Sequence, residues 1–255
     1  MLMSTGRIPF SYEEYYRRHL VMREFGRKGQ ERLDRARVAI VGVGGLGSVS
    51  STYLARAGVG YLRLIDSDAV EVKNLHRQIL YTLDDLGRPK AEVAAKRLME
   101  MNPLVKAEAI VERLNEDNAE RLLGGVDCVV DGLDNMRTRY IVNRACIKLG
   151  IPYVFGAAMG IEGNLSVFHP PETPCLECVL PNIDDRSLIS GEIRGILSPT
   201  PGIVGTMLSM ETIKVLANVG HPLKGKLMIC DFNDMYITTI EIAKRENCPT
   251  CRKQA

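Results

Sequence analysis

The residues best suited to chemistry follow a glycine loop. Gly42-Val-Gly-Gly-Leu-Gly47 leads through a short apolar run into Asp66-Ser-Asp-Ala-Val-Glu-Val-Lys-Asn-Leu-His-Arg-Gln78. A Gly-x-Gly-x-x-Gly turn lets the backbone approach a phosphate at a helix start, where N–H groups and the dipole favour anions. The loop does not separate ATP from NAD, and its plainest alternative is a tight turn without ligand. An NAD enzyme needs one acid here, for the ribose; Asp66 ends a strand at the usual place for it, although a capping acid looks the same. This chain adds Asp68, Asn74, Arg77 and Gln78, more charge and amide than ribose binding requires. That set suits a site that holds a triphosphate and acts on it. Arg77 can bridge phosphate oxygens with its planar fork. Asn74 and Gln78 are expected on its helical face, which disfavours a merely solvated arginine. Lys90 follows Gly87-Arg-Pro89 at a helix start. Lysine there opposes the dipole, so a nearby anion such as a phosphate accounts for it better than a plain surface position. Asp131 and Asp134 follow the apolar Val129-Val130. Carboxylates at the carboxyl end of a parallel strand sit where such sheets bind ligands, and Mg²⁺ takes one or two of them plus substrate phosphates. One of the two acids is expected to cap the next helix.

A second cluster is made of thiols. Four of the seven cysteines fall as Cys175-x-x-Cys178 and Cys248-x-x-Cys251. Four thiolates in two such pairs form a closed tetrahedral Zn²⁺ site, which has no open position and is therefore structural. It would tie the C-terminal tail to the middle of the chain. A redox dithiol is the rival reading. Cys128, Cys146 and Cys230 stand in apolar surroundings and read as packing residues.

These residues need a scaffold. Residues 11–35 read as one amphipathic helix, with Ser11 and Glu14 at capping-box spacing. Residues 37–42 are a buried strand, 46–58 a helix of small residues and 61–66 the next strand, the context that makes a glycine loop credible. Helices are expected at 90–101, 115–123 and 135–149, and strands at 105–111, 126–131 and 152–155. This alternation predicts an α/β, Rossmann-like fold whose mostly parallel sheet has helices on both faces. After residue 156 the texture changes. Residues 163–169 and 226–242 look like antiparallel strands, 181–202 like a long polar loop, and 205–219 like a helix with an apolar face.

The 255 residues suffice for one large domain, and no repeat or linker divides them. Hydrophobic residues make up 45% and charged residues 25%, ordinary for a globular protein, and the net charge of +2 gives no sign of broad binding to nucleic acid or membrane. No apolar run reaches the length of a membrane span. Met1-Leu-Met-Ser-Thr-Gly-Arg7 has no apolar signal core, so a cytoplasmic protein is expected.

The combination of Gly42-x-Gly-Gly-Leu-Gly47, Asp66-x-Asp-x-Val-Glu-x-x-Asn-Leu-x-Arg-Gln78, Gly87-x-Pro-Lys90, Asp131-x-x-Asp134-Asn135 and the paired Cys-x-x-Cys resembles the MoeB/ThiF/HesA family, relatives of the ubiquitin-activating enzymes. The resemblance runs from Phe25-Gly26 to Cys251. It implies ATP-dependent adenylation of the C-terminal glycine carboxylate of a ubiquitin-like sulfur carrier ending in Gly-Gly, with loss of pyrophosphate. Molybdopterin, thiamine or tRNA thiolation pathways would use the product. It implies one adenylation domain over 1–255: a helical arm (1–35), a nucleotide-binding half (36–156) and a carrier-binding half with the zinc site (157–255). Gly42, Gly44, Gly45, Gly47, Asp66, Asp68, Asn74, Arg77, Gln78, Lys90, Asp134 and Asn135 would line ATP. Asp66 would take the ribose, Asn74, Arg77, Gln78 and Lys90 would hold and polarise the phosphates, and Asp134 would take Mg²⁺. Arg18 matches the arginine such enzymes lend to the partner subunit's ATP, which implies a homodimer; the family usually has Gln where His19 stands. Many members carry a cysteine where this chain reads Ser190-Gly191-Glu192, so no covalent sulfur intermediate is expected in that loop. Two other functions are weaker. An NAD-dependent oxidoreductase leaves Arg77, Lys90 and Asp134 without a role, and a non-catalytic binding module leaves the ATP set unexplained. A different acid, such as a peptide C-terminus or a modified tRNA base, stays within the same chemistry.

Overall fold

The computed structural model describes residues 11–185 and 195–252. Five short strands form the parallel part of the sheet: β1 (Arg37–Val41), β2 (Tyr61–Ile65), β3 (Lys106–Ile110), β4 (Cys128–Asp131) and β5 (Tyr153–Met159). All four pairings among them are parallel. β6 (Glu162–Phe168), β7 (Lys226–Asp231) and β8 (Tyr236–Glu241) extend the same sheet antiparallel. The order is β3-β2-β1-β4-β5-β6-β7-β8.

Alternation along the strands feeds two cores. Val38, Ile40, Leu62, Leu64 and Val130 pack with α4 (Gly45–Ala57), α5 (Lys90–Met101) and α9 (Pro199–Ala217). Ala39, Val41, Ile65 and Val129 pack with α6 (Ala119–Leu123), α7 (Met136–Leu149) and the short α8 (Leu176–Val179) on the other face. A Rossmann-like sheet covered on both faces is thus present, as the pattern predicts.

The element boundaries differ in four places. Residues 11–35 form three helices, α1 (Tyr12–Tyr15), α2 (Arg17–Leu20) and α3 (Gly26–Arg35), not one. Gly26 takes φ +52°, which ends any continuous right-handed helix there, and Ser11 caps only α1. Asn115 binds the backbone N–H groups of Asp117 and Asn118 through Oδ1, so α6 begins only at Ala119. Pro199 and Pro201, expected in a loop, lie in the first turn of α9, where a proline forfeits no intrahelical hydrogen bond. Residues 226–242 are a hairpin, turned at Met235 with φ +53°. The expected loop at 181–202 lies partly outside the described residues, and the Ser190–Glu192 position wholly so. Among the described residues no helix is long and apolar enough to cross a membrane.

Candidate active site

β1 and β4 lie side by side, with connections leaving in opposite directions, so their carboxyl ends form the switch point where such sheets bind ligands. The two chains touch there. The Gly132 amide donates to Val41 O at 2.8 Å, and a Cβ on Gly132 would lie 1.9 Å from Gly42 O. Gly42 has φ +85°, a left-handed conformation that favours glycine. Gly47 is confined in the same way, a Cβ there also meeting Gly42 O, and Gly45 backs onto Pro201 of α9. Gly44 begins α4 with no side-chain cap, and the first turn holds no acid, which suits an anion. A Cβ on Gly44 would fill the space facing Gln78 Nε2.

Asp66 closes the loop from β2. Its Oδ2 accepts from the Val43 amide at 2.7 Å and its Oδ1 from the Asp68 amide at 2.8 Å. Burial pushes the carboxyl above its usual range, opposed by those two N–H groups and by Lys90. Each oxygen keeps a further acceptor position for a sugar hydroxyl.

Asn74, Arg77 and Gln78 do converge, but on a 3₁₀ turn (Val72–Asn74) rather than the expected regular helix. The Arg77 and Gln78 amides both donate to Asn74 O at 3.1 Å, and Arg77 Nη2 donates to Asn74 Oδ1 at 3.2 Å. Asn74 therefore aims the guanidinium. Gln78 is 3% exposed, and its Oε1 has no hydrogen-bond partner. Buried polar atoms rarely stay unpaired; the other end of the same amide, Nε2, is the one that faces the space beside Gly44 and could donate to a ligand there.

Lys90 is 4% exposed, not a surface lysine. The anion beside it is Asp68, whose Oδ2 lies 3.1 Å from Nζ. Tyr81, which sequence reasoning missed, donates its hydroxyl to Val43 O at 2.8 Å and lies 3.3 Å from Lys90 O, tying the glycine loop to Lys90. Nothing in its apolar surroundings signals this.

Neither expected acid caps α7. Asn135 does so, accepting from the Thr138 amide at 2.9 Å. Asp185, also missed, accepts from the Met136 and Arg137 amides at 2.6 and 3.2 Å. Asp131 is fully buried and engaged elsewhere: Arg139 Nε donates to its Oδ2 at 3.0 Å and Tyr153 OH at 2.6 Å. Asp134 is exposed and bonded to Asn135 Nδ2 at 3.1 Å, which leaves oxygen positions for a hard divalent cation. Arg18 is exposed on α2 and makes no hydrogen bond or ion pair among the described residues, so nothing within one chain brings it to the others.

The four expected thiols meet. Cys175, Cys178, Cys248 and Cys251 place their sulfurs within 4.8 Å of one another, with edges of 3.7, 3.7 and 3.5 Å. Zn–S bonds of about 2.3 Å require edges of about 3.8 Å in a tetrahedron, so the donor set fits zinc. Glu177, inside the first pair, accepts from Thr250 of the second at 2.7 Å and from Arg144 of α7 at 2.7 Å. Cys128, Cys146 and Cys230 are buried packing residues, as expected.

The switch point thus gathers two cations, a glycine loop and an exposed acid, a set able to neutralise a polyphosphate as charge shifts within it. The sequence model of the ThiF family matches residues 16–250. The chain is 42% identical to a sulfur carrier protein adenylyltransferase of Thermus thermophilus, over 92% of this chain and 89% of that protein. It is 39% identical to a SAMP-activating enzyme E1 of Haloferax volcanii, over 92% and 87%. Among solved structures, E. coli MccB with ATP superposes with a TM-score of 0.79 at 25% identity, covering 88% of this chain and 68% of that one.

Proposed function

The chain belongs to the ThiF family, and from that membership we propose that it adenylates the C-terminal carboxylate of a ubiquitin-like sulfur carrier protein. The observation that carries the reading is the glycine loop's set of neighbours: Gln78 Nε2 faces Gly44, Arg77 lies against Gly45, and Asp66 holds the Val43 amide with Lys90 close enough to act on its charge. A carboxylate oxygen of the carrier attacks the α-phosphorus of ATP. The bond from that phosphorus to the bridging oxygen breaks, and pyrophosphate leaves with the electron pair. The carboxylate is ionised near neutral pH, so no protein base or nucleophile is needed. Two anions must instead be brought together, and that requires positive charge.

Each residue has a part in this reading. The α4 N-terminus and Arg77 bind phosphate oxygens, and Arg77 is held on target by Asn74. Lys90 exchanges its contact with Asp68 for the polyphosphate. Asp66 takes the ribose while it holds the loop. Asp134 carries Mg²⁺, which when bound neutralises phosphate charge. Arg18 reaches the site of a second copy in a homodimer. The four cysteines hold structural Zn²⁺ and keep the tail on α7. Isotope exchange between ATP and pyrophosphate tests the proposal, with and without a ubiquitin-like protein ending in Gly-Gly. We expect exchange only with that protein, and a loss of at least about a hundredfold in Asp134→Ala. Exchange supported only by a free peptide or another acid would overturn the assigned substrate. Absence of ATP binding would overturn the site.

A further inference from the structure

We infer that Arg139 is a positioning residue for Asp134, buried behind the site and setting the direction of the acid that meets the divalent cation of ATP; this rests on the proposed role of Asp134. Arg139 is 6% exposed and lies in the first turn of α7. Its Nε pairs with Asp131 Oδ2 at 3.0 Å. Its Nη2 donates to Leu133 O at 2.6 Å and to Gly156 O of β5 at 3.0 Å. Leu133 O belongs to the peptide plane that ends at the Asp134 Cα. Because that plane is rigid, holding the oxygen fixes where Asp134 begins. The preceding amide is held as well, the Leu133 N–H donating to Asp131 Oδ1 at 2.8 Å. On the other side, Asn135 is anchored by its cap to Thr138 and donates Nδ2 to Asp134 Oδ1. Asp134 is thus exposed in its carboxylate and fixed through its neighbours on both sides.

Stability alone is a poor reason for this arrangement. A fully buried ion pair carries a desolvation cost that apolar side chains of similar volume avoid. The fork of Arg139 instead joins three elements at the mouth of the site: the end of β4, the loop to α7, and β5. The guanidinium spreads its donors over separate nitrogens, so Nε meets Asp131 while Nη2 meets both carbonyls. Lysine in its place keeps the charge opposite Asp131 but offers a single point of contact.

Calorimetric ATP binding to the full chain, with Mg²⁺ and with EDTA, tests this in wild type, Arg139→Lys, Asp134→Asn and the double variant. We expect Arg139→Lys to weaken ATP about tenfold with Mg²⁺ and not in EDTA. In the Asp134→Asn background the lysine should add nothing. Equal weakening with and without Mg²⁺, or a full additional loss in the double variant, would show a merely structural residue and overturn the inference. An Asp134→Asn protein that keeps the wild-type response to Mg²⁺ would overturn the role of Asp134 itself, and the inference with it. Should Arg139→Lys not fold, Tyr153→Phe removes one hydroxyl from Asp131 and leaves the packing. It should show the same Mg²⁺-only loss, at about threefold. A loss that is absent or independent of the cation would again be contrary.

Discussion

At the scale of single residues, Gln78 separates the needs of folding from those of binding. Its Oε1 is buried and unpaired, so the folded protein bears a desolvation cost with no return from within the chain. Gln78→Leu should therefore leave stability within about 1 kcal/mol of wild type, or raise it, in urea denaturation. ATP should bind about tenfold more weakly to the same protein. Unchanged affinity would show that the Gln78 amide, whose Nε2 faces Gly44, meets no ligand. Residue types were legible here because the chemistry is local: Asp66, Arg77, Gln78 and Lys90 follow the glycine loop within two strand connections. Their supports were not. Tyr81 reaches Val43, and Asp185 reaches the start of α7, only because the fold brings distant segments together. The lone signal available for Gly132 was its place between Asp131 and Leu133.

At the scale of elements, the switch point depends on two backbones in contact. A Cβ on Gly132 would stand 1.9 Å from Gly42 O, a backbone atom that cannot rotate away. Gly132→Ala should destabilise the protein by about 3 kcal/mol and weaken ATP binding, both readable in denaturation with and without nucleotide. Gly202→Ala is the contrast. It lies inside α9 with nothing within 4 Å of the added carbon, so it should stabilise by about 0.5 kcal/mol. Similar effects at the two positions would contradict the close approach. Strands and long helices were legible through their apolar periodicity. The broken helical arm was not, since Gly26 adopts its positive φ in a segment whose pattern otherwise reads as helix.

At the scale of the whole molecule, the four-cysteine centre fastens the tail to α7. Glu177 adds a metal-independent link between the two cysteine pairs, bonding Thr250 and Arg144. Removal of zinc by a chelator should thus loosen the tail, seen as faster amide exchange near Cys248–Cys251, and leave the sheet folded. Burial pushes Cys175 well above the usual thiol range and Cys251 up to about 11. Burial also acts to raise Cys248, but amides of Cys251 and Thr250 prevail and lower it to about 7. Zinc binds thiolates, so it must displace protons from groups that hold them at neutral pH. Affinity therefore rises with pH and is lost as pH falls. Chelator competition should give a zinc Kd at least about tenfold tighter at pH 8 than at pH 7. A pH-independent Kd would argue against thiolate ligation.

The sequence by itself determined the kinds of group available and their local order: a glycine-rich turn, an acid at a strand end, two cations, and two thiol pairs. Those follow from short-range spacing and from the period of apolar residues, which a linear chain displays directly. Only the tertiary structure decided which acid is free for a cation and which is locked to Arg139, which side chain caps α7, and that Lys90 is buried against Asp68. Each of those outcomes is a competition among polar groups for partners in a desolvated space. The winner is set by distances across the sheet that no local spacing contains.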